Sequence, residues 1–115
     1  MTQNHDLIAI LPCNDLDRSE AFYARLGFER HGWDDEYRIL SDGKGAKIHL
    51  IKAVEGWLVP GRNPFGLYLH TDKVDELAKS FGKEPRQTEW GMYEFTLSDP
   101  DETFVRIGCP SVSER

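Results

Sequence analysis

Short apolar stretches divided by turn-forming residues set the rhythm of this chain. Leu7 to Cys13 is brief and apolar and predicts a first strand. Asp17 is placed to cap a following helix, with Glu20 completing a capping box. Phe22 and Leu26 lie one helical turn apart on one face, and Gly27 supplies a left-handed stop. Phe28 to His31 and Tyr37 to Ser41 read as strands on either side of the acidic turn Asp34-Asp35. The turn Asp42-Gly43-Lys44-Gly45 then leads into the alternating strand Lys47 to Lys52. Glu55 to Pro64, with Gly56, Pro60, Gly61, Arg62 and Asn63, is punctuated like a boundary. Beyond it Phe65 to His70 reads as a strand. Thr71 or Asp72 caps a helix carrying Val74, Leu77, Ala78 and Phe81 at helical spacing, and Gly82 stops it. Glu84 to Gln87, Met92 to Leu97 and Thr103 to Gly108 follow as strands.

The second half is a rewriting of the first. Leu40-Ser41-Asp42, followed by Gly43, recurs as Leu97-Ser98-Asp99, followed by Pro100. Asp17 to Glu20, Phe22, Leu26 and Gly27 match Asp72 to Asp75, Leu77, Phe81 and Gly82. Two echoes in the same order predict one β-α-β-β-β unit used twice, hence an α+β fold of eight strands and two helices. The modules are expected at 7–52 and 65–109, joined by the loop 53–64, within a single domain spanning 1–115. Two βαβββ modules in tandem would form a curved mixed sheet around a cleft, with the helices on its outer faces, and a cleft is where a ligand would bind.

Bulk properties narrow the classes of function. A chain of 115 residues is one domain by prior, and 39% hydrophobic with 30% charged residues is ordinary for a soluble globular protein. No apolar run approaches the ~20 residues that span a bilayer, and the polar start Met1 to Asp6 is unlike a signal peptide, so cytoplasmic residence and no membrane partner are expected. Cys13 and Cys109 fall near the ends of the first and last strands; in a reducing compartment they read as two free thiols. Lys and Arg number 14 against 20 acids, a net charge of −6 without a basic cluster. Nucleic acid is therefore a poor partner, while a cationic ligand would be mildly attracted. Catalytic signatures are thin. His5 is in the polar terminus, His31 and His70 sit at strand ends, neither cysteine lies in a reactive signature, and no glycine-rich phosphate loop is present. Asp34, Asp35 and Glu36 read as a solvated hairpin tip.

Asn14-Asp15-Leu16 to Phe22-Tyr23-Ala24-Arg25-Leu26-Gly27-Phe28, together with Asp99-Pro100-Asp101 before a final strand, resembles the opening and closing signatures of the vicinal oxygen chelate superfamily, which includes glyoxalase I, extradiol dioxygenases and the fosfomycin and bleomycin resistance proteins. The resemblance covers essentially the whole chain. Ala53-Val54, Val59-Pro60, Asn63 and Asp75-Glu76-Leu77 are similar to bleomycin resistance proteins, as is Trp90-Gly91 followed by Glu94-Phe95 and Leu97. Glu102 departs from the glycine usual after Asp-Pro-x, so the turn there must find a non-glycine solution. The resemblance also allows a position-by-position test for the divalent metal that family enzymes hold on four strands. The matching positions are Ile8, His49, the vicinity of Gly66, and Arg106. An alkyl group, a missing side chain and a permanent cation leave one imidazole, which is too little for a hard-metal site. No metal and no other cofactor are expected.

What remains for ligand binding is aromatic. Trp33, Tyr37, Trp57, Tyr68, Trp90 and Tyr93 are many for this length, and several stand beside turns. Flat rings stack on planar heteroaromatic ligands and attract cations. The resemblance associates the Tyr37 and Trp90 positions with the ligand groove. With Trp57, Tyr93 and the equivalent pair His49 and Arg106 they form the candidate ligand-binding set, whereas Tyr68, between Leu67 and Leu69, reads first as a core or interface residue. The function expected is non-catalytic sequestration of a small cationic or planar aromatic ligand such as bleomycin, and the resemblance implies a homodimer, which in this family sometimes exchanges its first strand. The alternatives are a metal-dependent glyoxalase-like lyase, isomerase or dioxygenase, and a metabolite-binding module of the same fold.

Overall fold

In the computed structural model, which describes residues 5–111, the two copies of the repeat fold as two compact units divided between Val59 and Pro60. The polar start of the chain at residues 1–4 lies outside the described residues. The first unit runs β1 (Ala9–Cys13), α1 (Leu16–Ala24), β2 (Glu29–Trp33), β3 (Tyr37–Ser41) and β4 (Lys47–Lys52). The second runs β5 (Gly66–His70), α2 (Val74–Phe81), β6 (Arg86–Gln87), β7 (Met92–Ser98) and β8 (Phe104–Pro110). Each unit has one four-stranded mixed sheet, in the orders β1-β4-β3-β2 and β5-β8-β7-β6, with the first pair parallel and the rest antiparallel.

Period-two alternation gives each sheet a helix-covered face and an open face. In the first unit Leu11, Cys13, Leu40, Ile48 and Leu50 are buried beneath α1, which packs on β3 and β4. In the second, Phe95, Leu97, Val105 and Ile107 are buried on the side where α2 packs against β7 and β8, and Val74 and Ala78 complete that core. Each such side chain is worth roughly 1.5–3 kcal/mol relative to exposure. Neither Cys13 nor Cys109 is in a disulfide, and the buried Cys13 thiol donates to the Leu11 carbonyl at 3.6 Å.

Three local expectations need correction. Asp15, not Asp17, caps α1: its side chain accepts from the Arg18 N–H at 3.1 Å. Asp17 and Glu20 instead form ion pairs with Arg38, and Glu20 also with Arg30, tying the helix to β2 and β3. The buried face of α1 is Leu16, Ser19 and Tyr23, so the apolar face marked by the Phe22–Leu26 spacing is not the one the helix buries, and Tyr23 enters the core. It packs edge-on against Phe28 with ring centroids 6.2 Å apart. Lys73 stands at the N-cap of α2 without a side-chain cap bond, and Thr71 Oγ1 supports the entry by accepting from the Lys73 N–H at 3.1 Å.

The repeat extends to hydrogen bonds. Asp42 Oδ1 accepts from the N–H groups of Lys44 and Ala46, at 2.7 and 3.0 Å, and Asp99 Oδ1 does the same for Asp101 and Thr103, at 2.8 and 2.9 Å. In each unit the aspartate N–H also donates to the carbonyl of the last of these residues. Gly45 occupies the penultimate position at φ +114, and its counterpart in the second turn is Glu102 at φ 64. The turn thus keeps the left-handed conformation and places a side chain in it, at a cost of ~1 kcal/mol.

Candidate functional site

The open face of the second unit carries the most developed polar arrangement. Strand register puts Tyr68 beside Arg106 and Arg106 beside Thr96, with Gly108 beside Glu94 and Glu94 beside Arg86. Glu94 is a carboxylate only 7% exposed in the middle of a strand. It is satisfied by its neighbours: the Tyr68 hydroxyl donates to Oε1 at 2.6 Å, and Arg106 Nε stands 3.3 Å from Oε2. Burial, followed by the hydrogen bond to Glu94 and its charge, pushes the Tyr68 phenol up to about 12. Gly108 makes this crossing possible. A Cβ at that position would lie 2.6 Å from Glu94 Cβ and 2.8 Å from the Tyr68 hydroxyl, closer than real contacts allow.

Beside this arrangement lies a recess of about 440 Å³, whose lining includes Lys83, Arg86, Trp90, Glu94, Thr96 and Arg106. Its volume falls in the range typical of small-molecule sites. Trp90 is 67% exposed on the turn into β7, where Gly91 at φ +89 reverses the chain. An indole that open can cover a planar ligand.

Of the residues singled out from sequence, Trp90 and Arg106 share this recess. Tyr93 does not join them. It projects to the helix side of β7, where its hydroxyl donates to Asp75 of α2 at 2.6 Å, and that bond raises its pKa first, then burial. Tyr37 and His49 meet on the open face of the first unit: the hydroxyl is 2.7 Å from Nδ1 and the rings are edge-on at 5.2 Å. Trp57 stands 81% exposed in the loop after β4. Sequence reasoning read Tyr68 first as a core or interface residue and missed Glu94, Lys83, Arg86 and Thr96. The available signal was Gly108, a glycine inside a strand, which marks a close approach.

These groups do not fit the divalent metal that the superfamily's enzymes hold. In the second unit both Glu94 oxygens are engaged by Tyr68 and Arg106, and the adjacent guanidinium, a permanent cation, would repel a metal ion. Among the described residues, no group of three or more His, Cys, Asp or Glu is placed to hold a metal ion. What the arrangement offers is stacking, hydrogen bonding and charge. No helix among the described residues is long and apolar enough to cross a membrane.

No protein-family model and no curated protein matches the chain. Solved structures do. A bleomycin-binding protein complexed with bleomycin is 27% identical, with 94% of this chain and 100% of that one covered at a TM-score of 0.80. A bleomycin resistance determinant encoded on the transposon Tn5 is 28% identical, with 95% and 100% covered, also at 0.80. TnmS3, an antibiotic binding protein from Streptomyces sp. CB03234, is 23% identical, with 96% and 99% covered at 0.72, and shows the fold alone. So do a putative glyoxalase and a lactoylglutathione lyase among the neighbours. The fold is the bleomycin resistance/glyoxalase fold of the vicinal oxygen chelate superfamily, and the two bleomycin proteins are more similar to this chain than the glyoxalase-like ones.

Proposed function

We propose that this chain is a non-catalytic binding protein that sequesters a bleomycin-type antibiotic. The observation that carries the reading is an open indole, Trp90, over a recess of ligand size, in a chain that matches a bleomycin-complexed protein along that protein's full length. The planar part of the ligand stacks on Trp90, and the net charge of −6 draws a cationic ligand from a distance. No bond need be broken, because tight binding alone removes a toxin from solution. Tyr37 and His49, on the open face of the first unit, are assigned to ligand binding there. Cytoplasmic residence and a homodimer belong to this reading; Ile10, Ile39 and Ile51, exposed on one sheet face, support pairing of two copies.

The test is a fluorescence titration with bleomycin. Of the three tryptophans, Trp90 is assigned the ligand-induced change. Trp90→Ala should abolish most of that change and weaken binding, while Trp33→Phe should leave both intact. A full response retained in Trp90→Ala would refute the stacking role.

A further inference from the structure

The residues that line the recess in the second unit include three cationic ones, Lys83, Arg86 and Arg106, and two acidic ones, Glu84 and Glu94. Glu94 is already compensated by Tyr68 and Arg106. Positive charge therefore prevails locally in a protein that is negative overall.

Arg106 is the unusual member. It pairs with Glu94 through Nε at an angle that leaves this buried nitrogen without a hydrogen-bond acceptor. Its guanidinium lies over the rings of Phe104 and Tyr68, at 5.1 and 5.8 Å, and among the described residues no group accepts a hydrogen bond from it. Arg38 in the first unit makes the contrast. Its Nε is also unpaired, but its two terminal nitrogens bond Glu20 and Asp17, so it fastens the helix to the sheet. Arg106 is held in place by an ion pair and two ring faces while its terminal donors stay unengaged. A planar fork of that kind matches a carboxylate and binds it through paired, charge-assisted hydrogen bonds. Trp90 and the Thr96 side chain complete the wall.

We propose that this recess is a subsite for the anionic group of a planar aromatic ligand, an aryl carboxylate. Arg106 is its anchor, Arg86 and Lys83 are flanking charges, and Trp90 is the stacking surface. Glu94 and Tyr68 are positioning residues that fix the guanidinium from behind. The inference goes beyond sequestration of a bleomycin-type ligand, which does not require an anion site, and it stands or falls separately.

The experiment is calorimetric titration of the full chain with naphthoate and with its neutral isostere naphthamide. A charge-assisted bond in place of a neutral one predicts an advantage for naphthoate on the order of tenfold, shrinking as salt is raised. Arg106→Lys, which keeps the charge and loses the fork, should reduce that advantage several-fold. Arg86→Gln, which leaves the Tyr68–Glu94–Arg106 contacts untouched, should reduce it as well and guards against a folding defect in the first variant. Trp90→Ala should weaken both compounds alike. Equal affinity for the two, no binding of either, or an advantage that survives both arginine variants would overturn the proposal. Bleomycin in the same series separates the two readings. Bleomycin bound without naphthoate sinks the anion site alone, and naphthoate bound without bleomycin sinks the sequestration reading alone.

Discussion

Gly108→Ala puts the integrity of the second unit's open face to a quantitative test. The added methyl would sit 2.6 Å from Glu94 Cβ, 2.8 Å from the Tyr68 hydroxyl and 2.9 Å from the Tyr93 carbonyl oxygen. The carbonyl is sheet backbone and Glu94 Cβ is rigidly attached to it, so neither can swing aside. Either β7 and β8 separate locally, or Tyr68 leaves Glu94. Overpacking of a formed core costs ~1–3 kcal/mol, and a buried acceptor that loses its partner costs a further ~1–3 kcal/mol. Since relief of one lessens the other, a net loss of about 2–4 kcal/mol is expected. The assay is urea unfolding, read as a lower midpoint at unchanged slope. Gly32→Ala is the internal control: its methyl would meet only the tip of Ile39 at 3.3 Å, a flexible end that can yield, so the cost should stay below ~1 kcal/mol. A Gly108→Ala loss below ~0.5 kcal/mol, or equal losses at the two glycines, would refute the close crossing of Tyr68 and Glu94.

Three further outcomes follow from the same geometry. Glu102→Gly restores the residue type that Gly45 supplies in the first unit, relieving a left-handed φ of 64; it should stabilise by up to ~1 kcal/mol, seen as a higher melting temperature, and a lower one would contradict the strain. Asp99→Ala removes the acceptor for two N–H groups in a buried turn and should cost about 2–4 kcal/mol, more than Asp42→Ala in the less buried counterpart; equal costs would contradict the burial argument. Tyr68 holds its proton more tightly in the folded state, about 12 against 10.0. The stability this contributes is complete below pH 10.0 and is lost as pH rises toward about 12. Tyr68→Phe should abolish that alkaline loss and remove a phenol that ionises at about 12 from an ultraviolet titration, and a titration unchanged in the variant would overturn the assignment.

Much of this architecture could be read from residue order because the repeat constrains it twice. Leu40-Ser41-Asp42 and Leu97-Ser98-Asp99 end equivalent strands, and the aspartates close equivalent turns, so both β-hairpins were legible from one motif. Alternation likewise placed His49 and Arg106 on equivalent strands, each central in its sheet. Alternation holds at β7, placing Tyr93 with Phe95 and Leu97 on the helix side and Glu94 on the open face, but it gives no sign that a carboxylate there is buried. Only tertiary partners, Tyr68 across β8 and the bare Gly108 between, make a charge acceptable there. Helix α1 misled for a similar reason. A buried Ser19 between Leu16 and Tyr23 breaks the apolar stripe, so the Phe22–Leu26 spacing looked like the core face. The recess was not legible beyond Trp90 and Arg106: a strand was expected over Glu84 to Gln87 and forms at Arg86 and Gln87, but which residues line a recess beside it is set by tertiary packing.

Capture without conversion is the claim on which the functional account depends, and one measurement reaches it directly. Bleomycin is titrated calorimetrically into the purified protein, with and without divalent metal, and the ligand is then released and characterised. Saturable binding in both conditions, with the compound recovered chemically unaltered, is the outcome the account requires. Absence of heat, dependence on a protein-bound metal, or recovery of a transformed product would contradict it.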